Sequence, residues 1–417
     1  MIPKIKIYKD QFGNPKFSYV SIIVLTGSVF ENKKEKGISH FIEHLVFKGS
    51  EFNDNIKILN NKLNSKGMNV NAFTTNFITA FYIETPTEYI KYAIEALIQI
   101  VFNPLFRKED IENERKVVIN ELVEKMHSPE ILASMKAQQI IYPKENPLHN
   151  PVIGSIESLK KIGRCEIVNY YDKYYRPENI IFFTSTSKNK NTVKKIWENT
   201  YKEFGNINKK YQDYESTLEI FEKMKPKLKL TGKPGLYRLT KYFPRNSSYY
   251  VLANFILPKL KEKELFALEI FANYLAGSLS SILFIEMREK KQLIYSVNST
   301  VGPRVDITNF LIEFNCKKNS KILRECIETI DKTLRDFYKN GINSKEFNKF
   351  KNKTLINYER VKEMGKYKIN RFVSKIFYGI SENNYESILK SISINYFNKT
   401  VKKIFNNKSK KEFVFIV

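Results

Sequence analysis

The chain has 417 residues, 42% of them hydrophobic and 14% aromatic, which suffices for one large or two ordinary globular domains and excludes an intrinsically disordered protein. Its 70 Lys and Arg residues against 44 Asp and Glu residues give a net charge of +26, which permits binding to nucleic acid or anionic lipid without requiring it. Three cysteines and no run of about 18 apolar residues exclude a disulfide framework and a membrane-spanning helix, so we expect a cytoplasmic protein.

The first half of the chain alternates between predicted strands and helices. A hairpin is predicted over residues 4–30, where the segment FSYVSIIVL follows a turn at DQFGNP. Helical spacing begins at Ser39, a residue type common at helix N-termini, and continues as SHFIEHLVF. The remaining predicted elements are a helix over 54–65, the strands MNVNAFTT and ITAFYIETP, helices over 87–102 and 108–126, the strand IIFFTS and a helix over 192–203.

Residues 205–235 are rich in Lys and contain two prolines, which predicts a connection between two domains. Beyond it the order of strands and helices repeats. HFIEHLVFKGS at 40–50 aligns with LEIFANYLAGS at 268–278, because each is an apolar helix that follows a strand and ends in Gly-Ser. We therefore predict an α+β protein of two tandem, similar α/β domains, residues 1–215 and 216–417, each with a mixed or antiparallel sheet packed by helices.

The pentapeptide HFIEH at 40–44 contains two of the four histidines in the chain. Helix positions i and i+4 project from one face, so both imidazoles can bind one metal ion while Glu43 lies on the adjoining flank. This pattern arises by chance in about three of a thousand chains of this length, which favours a metal site over an amphipathic helix with incidental polar residues. The aligned positions of the second half are Leu268, Phe271 and Ala272, so this chemistry belongs to the first half alone.

A catalytic zinc ion usually takes three protein ligands. His127 precedes Ser-Pro and His149 follows Pro-Leu, both loop-like settings. Glu114 and Glu121 are better candidates, because their seven-residue spacing puts both on the inward side of the helix predicted over 108–126. Inward carboxylates are costly without a partner, and a metal held by two neutral imidazoles is such a partner. A carboxylate is therefore the expected further ligand.

HFIEH, followed at a distance by ENERKVVINE, resembles the pitrilysin-like inverzincin zinc metallopeptidases. The resemblance is strongest to their short two-domain branch, which includes the mitochondrial processing peptidases and their bacterial relatives. The segments NAFTTNFITAFYIETP, PVIGSIESLKKI, YYDKYYRPENI and SLSSILFIEMREKKQLIYSV look like the corresponding family segments in the same order. Together these segments cover most of residues 20–300.

This resemblance implies a zinc-dependent endopeptidase. His40, His44 and Glu121 would bind one Zn²⁺ ion, and Glu43 would be the general base that takes a proton from the zinc-bound water. Glu114 would orient and support the site without binding the metal. Loss of Glu43 should lower the rate by several orders of magnitude while leaving metal binding nearly intact.

The resemblance also implies how substrate is held. Arg288 and Tyr295 match the residues that grip the substrate main chain, and Asn71 and Ala72 match an edge strand to which substrate adds as an extra strand. One chain would form half of a clamshell, so that two subunits enclose peptides or unfolded protein segments in a chamber. Because this chain carries both the metal motif and the Arg/Tyr pair, a homodimer is expected, with a heterodimer as the alternative.

Two other functions compete with the peptidase. One is a non-catalytic or scaffold subunit of a processing-peptidase-like complex, although such a subunit has no need of Glu43, Glu114 and Glu121 beside both histidines. The other is a basic nucleic-acid-binding protein that uses the +26 charge. No recognisable nucleic-acid-binding motif accompanies that charge, so neither nucleic acid nor membrane is expected as a partner.

Overall fold

The computed structural model describes residues 2–9, 16–52, 56–205, 214–225, 232–362, 364–381, 384–406 and 410–417. These residues separate into two compact units, the first within residues 1–125, 142–229 and 363–369 and the second within residues 126–141, 230–362 and 370–417. The chain therefore passes between the units more than once. No helix among the described residues is both long enough and apolar enough to cross a bilayer.

Strands and helices alternate along the chain. Up to residue 224 the elements are β1 (Lys4–Lys9), β2 (Phe17–Val24), α1 (Ile38–Leu45), α2 (Ile56–Ser65), β3 (Asn69–Thr74), β4 (Thr79–Pro86), α3 (Ile90–Phe102), α4 (Lys108–Met126), α5 (Pro129–Ile141), α6 (Ile156–Lys161), α7 (Arg164–Tyr174), β5 (Ile180–Thr186), α8 (Lys190–Phe204) and α9 (Thr217–Met224). Beyond it they are β6 (Gly235–Arg238), β7 (Ser248–Pro258), α10 (Glu262–Ala276), α11 (Ile282–Phe284) with a π-helical continuation over Ile285–Lys290, β8 (Ile294–Pro303), β9 (Ile307–Lys317), α12 (Ser320–Asn340), α13 (Ser344–Val361), α14 (Gly365–Tyr378), α15 (Tyr385–Lys390), α16 (Ile394–Phe405) and β10 (Lys411–Ile416).

The sheet of the first unit has the strand order β1-β5-β2-β4-β3, with β1 and β5 parallel and the other described pairs antiparallel. The predicted hairpin of β1 and β2 is wrong, because β5 lies between these strands and pairs Phe182 with both Ile5 and Ile22. All seven residues of β5 are buried, and a strand without polar alternation belongs in the middle of a sheet. The turn predicted at residues 10–15 lies outside the described residues.

The second unit repeats this topology. Its sheet has the order β6-β10-β7-β9-β8, which is the order of the first sheet with every strand number raised by five. The helices α1 and α10 occupy equivalent places after β2 and β7. The prediction of two similar α/β domains is confirmed. At the positions equivalent to the HFIEH side chains, Leu268, Phe271 and Ala272 are all buried in the apolar core of the second unit.

The helix α9 lies in the segment for which the sequence predicted a connection. Its first turn is capped reciprocally by Ser216 and Glu219, and Phe221 packs edge-on against Phe77 with ring centroids 5.7 Å apart. The pattern Ser-x-x-Glu before apolar residues signals such a cap and could have revealed this helix. The flanking residues 206–213 and 226–231 lie outside the described residues.

The helix that carries the HFIEH motif packs against strands β3 and β4. Its apolar stripe of Phe41, Ile42 and Leu45 is at most 1% exposed. Burial of each such side chain contributes roughly 1.5–3 kcal/mol, so this stripe holds α1 firmly on the sheet. The two histidine side chains of α1 face Glu114 and Glu121 of α4.

Candidate metal centre

The N-terminus of α1 is held by a buried carboxylate. Glu31 accepts hydrogen bonds from the backbone N–H groups of Gly37 at 2.8 Å and Ser39 at 3.0 Å. Burial raises the pKa of Glu31 to about 7, against the opposing effect of these two hydrogen bonds. Gly37 has a φ of 92°, and a Cβ atom there would lie 2.7 Å from the carbonyl oxygen of Ile153. Only glycine fits this junction between α1 and the turn before α6.

The two histidines of α1 meet one carboxylate of α4. The Nε2 atoms of His40 and His44 lie 3.8 Å and 3.5 Å from Oε2 of Glu121. These three side chains form the one group of metal-binding residue types found among the described residues, with ligand atoms all within 4.8 Å of one another. They combine two imidazole nitrogens with one carboxylate oxygen, which is a donor set used by catalytic zinc sites.

Glu114, the second candidate carboxylate of α4, contacts His44 through the ring nitrogen that does not face Glu121. Oε1 of Glu114 lies 2.9 Å from Nδ1 of His44, and Oε2 lies 2.5 Å from Nζ of Lys48. Glu114 is only 4% exposed. Burial raises its pKa, but hydrogen bonds from His44 and Lys48 outweigh burial and lower the pKa below its usual range. Glu114 is therefore an ionised acceptor that leaves Nε2 of His44 to face Glu121.

Glu43 lies beside the three ligand candidates and belongs to a separate hydrogen bond. Its Oε2 atom accepts the hydroxyl hydrogen of Thr74, at the end of the edge strand β3. Burial raises the pKa of Glu43, and the hydrogen bond from Thr74 opposes this rise. The other carboxylate oxygen remains available to take a proton.

The ligand candidates differ in charge before metal binds. Burial lowers the pKa of His40 to about 4, so its imidazole is neutral at pH 7. Burial also acts on His44, but its hydrogen bonds to Glu114 and Glu121 prevail and raise the pKa to about 9. The hydrogen bond from His44, together with one from Lys125, lowers the pKa of Glu121 to about 2. A metal ion bound here would displace the proton of His44.

The other histidines considered as ligands lie elsewhere. Nδ1 of His149 is 2.9 Å from the carbonyl oxygen of Tyr142, and neither His127 nor His149 belongs to the metal-binding group found among the described residues. This agrees with the sequence argument that favoured a carboxylate.

The second unit brings Arg288 and Tyr295 together. The guanidinium carbon of Arg288 lies 4.6 Å from the ring centroid of Tyr295 and 4.9 Å from that of Phe284. Tyr295 is 76% exposed. It lies where the pairing of β8 with β9 shifts register between Ile294 and Val297, and such a bulge re-aims side chains.

Two family descriptions match consecutive parts of the chain. Residues 11–154 match the family described as Insulinase (Peptidase family M16), and residues 161–354 match the family described as Peptidase M16 inactive domain. The chain belongs to the M16 peptidase family. The word "inactive" applies to the second match, which is the half that carries Leu268, Phe271 and Ala272 in place of the motif.

Curated M16 relatives are named as proteases. An uncharacterized zinc protease of Bacillus subtilis is 28% identical over 80% of this chain and 77% of its own length. The β subunit of the mitochondrial processing peptidase of Caenorhabditis elegans is 27% identical over 44% of this chain and 40% of its own length. In fold, the chain is similar to the crystal structure of a protease from Helicobacter pylori, with a TM-score of 0.81, 18% identity and coverage of 98% and 96% of the two chains. The prediction that this chain belongs to the short two-domain branch of the M16 family is thereby confirmed.

Three side chains of this M16 site were not singled out from the sequence. Lys48 continues the i+4 series of His40 and His44, so helical spacing could have drawn attention to it. Thr74 and Glu31 carried no comparable signal, since their contacts join residues that are distant along the chain or lie in irregular backbone.

Proposed function

We propose that this M16 chain is a zinc-dependent endopeptidase that hydrolyses peptides or unfolded protein segments. The observation that carries the proposal is the convergence of two imidazole Nε2 atoms on one oxygen of Glu121, with Glu43 alongside. Relatives named as zinc proteases support the same chemistry.

The distances suit a tetrahedral zinc ion. Ligand atoms held at about 2.0–2.2 Å from zinc lie roughly 3.3–3.6 Å from one another. The separations of 3.5 Å and 3.8 Å between the histidine Nε2 atoms and Glu121 Oε2 are within a few tenths of an ångström of that requirement. Because the three ligand atoms all lie within 4.8 Å of one another, His40, His44 and Glu121 would draw together by about an ångström to hold the ion.

Zinc bound here would supply a Lewis acid and would lower the pKa of a water molecule at the site toward about 7. Glu43 would take one proton from the attacking water as its oxygen forms a bond to the carbonyl carbon of the substrate. Glu43 would then pass that proton to the nitrogen of the leaving amine as the C–N bond breaks. The hydroxyl of Thr74 holds the other oxygen of Glu43 in place during both transfers.

The edge strand β3 provides the surface on which substrate would lie. Among the described strands it pairs with β4 alone, and an added strand would replace the hydrogen bond that the N–H of Ala72 donates to Oδ1 of Asn71 at 2.8 Å. Asn71 and Ala72 lie in its middle and Thr74, the partner of Glu43, at its end. Pairing through the backbone tolerates many sequences but requires an extended chain, which favours peptides and unfolded segments as substrates. We assign Arg288 and Tyr295 to the grip on the substrate main chain.

The decisive experiment combines a quenched peptide library with Glu43→Gln. We expect wild-type protein to cleave peptides, chelator to abolish cleavage, and added zinc to restore it. Glu43→Gln should lower kcat by at least about 100-fold, the usual contribution of a general base, while elemental analysis still finds one zinc per chain.

A matched control is Glu124→Gln, which changes a carboxylate of α4 outside the metal-binding group. Cleavage that persists in both chelator and Glu43→Gln would refute the peptidase proposal. Zinc-loaded wild-type protein that cleaves no library peptide would instead support the non-catalytic subunit.

A further inference from the structure

The side chain of Lys48 completes the support of the metal centre. Both oxygens of the buried Glu114 carboxylate have a partner, Oε1 with His44 at 2.9 Å and Oε2 with Lys48 at 2.5 Å. A buried carboxylate oxygen that loses its partner keeps the full cost of desolvation. Lys48 is thus the partner of Oε2, the carboxylate oxygen of Glu114 that does not contact His44.

The orientation of Glu114 determines which nitrogen of His44 can bind a metal. An ionised carboxylate only accepts hydrogen bonds, so Nδ1 of His44 must donate to it. When a metal ion displaces the second proton of His44, the proton that remains is on Nδ1 and the lone pair is on Nε2, which faces Glu121 at 3.5 Å. A turned carboxylate would release the imidazole and let the ring rotate or change tautomer.

The backbone around Lys48 is fixed relative to α4. Lys48 ends a 3-10 turn, Val46–Lys48, that follows directly on α1. Just beyond it Ser50 forms a β-bridge with Pro104, and the N–H of Glu51 donates to the carbonyl of Asn103 at 3.0 Å. The helix α4 begins four residues after Pro104, so the turn that carries Lys48 and the helix that carries Glu114 are held together.

We propose that Lys48 is a positioning residue of the metal centre that acts through Glu114 on His44. This inference rests on the proposed zinc site of His40, His44 and Glu121. The ammonium group of Lys48 holds the carboxylate of Glu114, and that carboxylate holds the imidazole of His44.

The test is zinc affinity, measured by competition with a chromophoric chelator. Lys48→Met keeps the aliphatic stem and removes the charge, and we expect it to weaken zinc binding about 10-fold or more, the usual effect of losing a group that orients a ligand. Lys48→Arg should recover most of that loss. The control Lys161→Met removes a surface lysine paired with Glu157 at 2.7 Å and should leave zinc affinity unchanged.

A double-mutant cycle with Glu114→Gln identifies the route of the effect. If Lys48 acts through Glu114, adding Lys48→Met to Glu114→Gln should cause little further loss, since the charge that Lys48 pairs with is already absent. Circular dichroism of each variant verifies folding, and Lys48→Arg provides a reading should Lys48→Met fold poorly. Wild-type zinc affinity in Lys48→Met, or fully additive losses in the cycle, would overturn the inference alone. A wild-type chain that binds no zinc would overturn the proposed function as well.

Discussion

The pKa values of Glu121 and Glu43, the two carboxylates that act on the imidazole of His44, are shifted in opposite directions. Hydrogen bonds from His44 and Lys125 lower the pKa of Glu121 to about 2, whereas burial raises the pKa of Glu43. A carboxylate that stays ionised suits a metal ligand, and one whose affinity for a proton is increased suits a general base. The division of roles implied by the family resemblance therefore has a physical basis in the surroundings of each side chain.

At the same scale, Glu31 links stability to pH. Its pKa is about 7 in the folded chain, because burial disfavours the charge, and close to the ordinary value of 4.5 in the unfolded chain. The folded state holds this proton more tightly, so the stabilisation is complete below pH 4.5 and is lost as pH rises through 7. The shift corresponds to about 3 kcal/mol.

Urea unfolding of wild type and Glu31→Gln at several pH values checks this prediction. We expect the free energy of unfolding of the wild type, relative to that of Glu31→Gln, to fall as the pH is raised between about 5 and 7.5. Comparison with the variant cancels the titration of all other groups. A relative stability that stays constant, or rises, contradicts the assignment.

At the scale of elements, the position of α1 depends on a close approach of backbones. A Cβ at Gly37 would lie 2.7 Å from the carbonyl oxygen of Ile153 and 3.0 Å from Cα of Gly154, so alanine there must push α1 away from the turn before α6. Because α1 carries both histidines, the displacement should weaken zinc binding as well as destabilise the fold.

The substitution Gly37→Ala is best compared with Gly67→Ala. Gly67 also has positive φ, 68°, but a Cβ there meets only Pro86 Cγ at 3.8 Å, an ordinary contact. We expect Gly67→Ala to cost about 1–2 kcal/mol of stability with unchanged zinc affinity, and Gly37→Ala to cost more and to weaken zinc binding. Equal losses of stability and unchanged zinc affinity in both variants would show that the contact with Ile153 does not position α1. Urea unfolding and chelator competition provide the two measurements.

At the scale of the whole molecule, the two units of repeated topology carry the two groups of residues to which we assign different roles. The first unit holds the metal-binding group, and the second unit, with apolar residues at the equivalent positions, holds the Arg288–Tyr295 pair. From the family resemblance we propose a homodimer in which the metal centre of one subunit would work with the Arg/Tyr pair of the other. That arrangement predicts complementation between inactive variants.

We expect the Glu43→Gln and Arg288→Ala variants to have strongly reduced peptidase activity when each is expressed alone. Co-expression of the two variants should restore part of that activity. Half of the dimers then combine one subunit of each kind, and each such dimer has one intact pair of parts, so about a quarter of the wild-type activity is expected. Glu43→Gln with Glu121→Gln is the matched control, because every metal centre in that mixture is damaged. Activity that stays absent in the first mixture would place Arg288 and Glu43 in the same subunit's site.

Sequence patterns predicted many of the helices and strands and most residues of the candidate metal centre. Helical spacing located α1, α4 and the i, i+4 histidines, because each such inference needs only residues within a few turns of one another. The internal alignment of α1 with α10 revealed the duplication for the same reason. The hairpin of β1 and β2 was predicted wrongly, because β5 lies between these two strands. The pairing of β5 with β1 joins residues about 175 positions apart along the chain, such as Ile5 and Phe182, and local patterns do not reveal it.

The sequence by itself therefore determined the donor types and their helices, which follow from local periodicity. Only the tertiary structure decided how the two carboxylates of α4 divide their tasks by geometry, with Glu121 facing both Nε2 atoms and Glu114 joined to Nδ1 of His44 across 70 positions of chain. It also brought Lys48 into contact with Glu114 and Thr74 into contact with Glu43. Hydrogen bonds and ion pairs of this kind depend on side-chain positions in space, which packing of the helices on the sheet creates and local spacing does not encode.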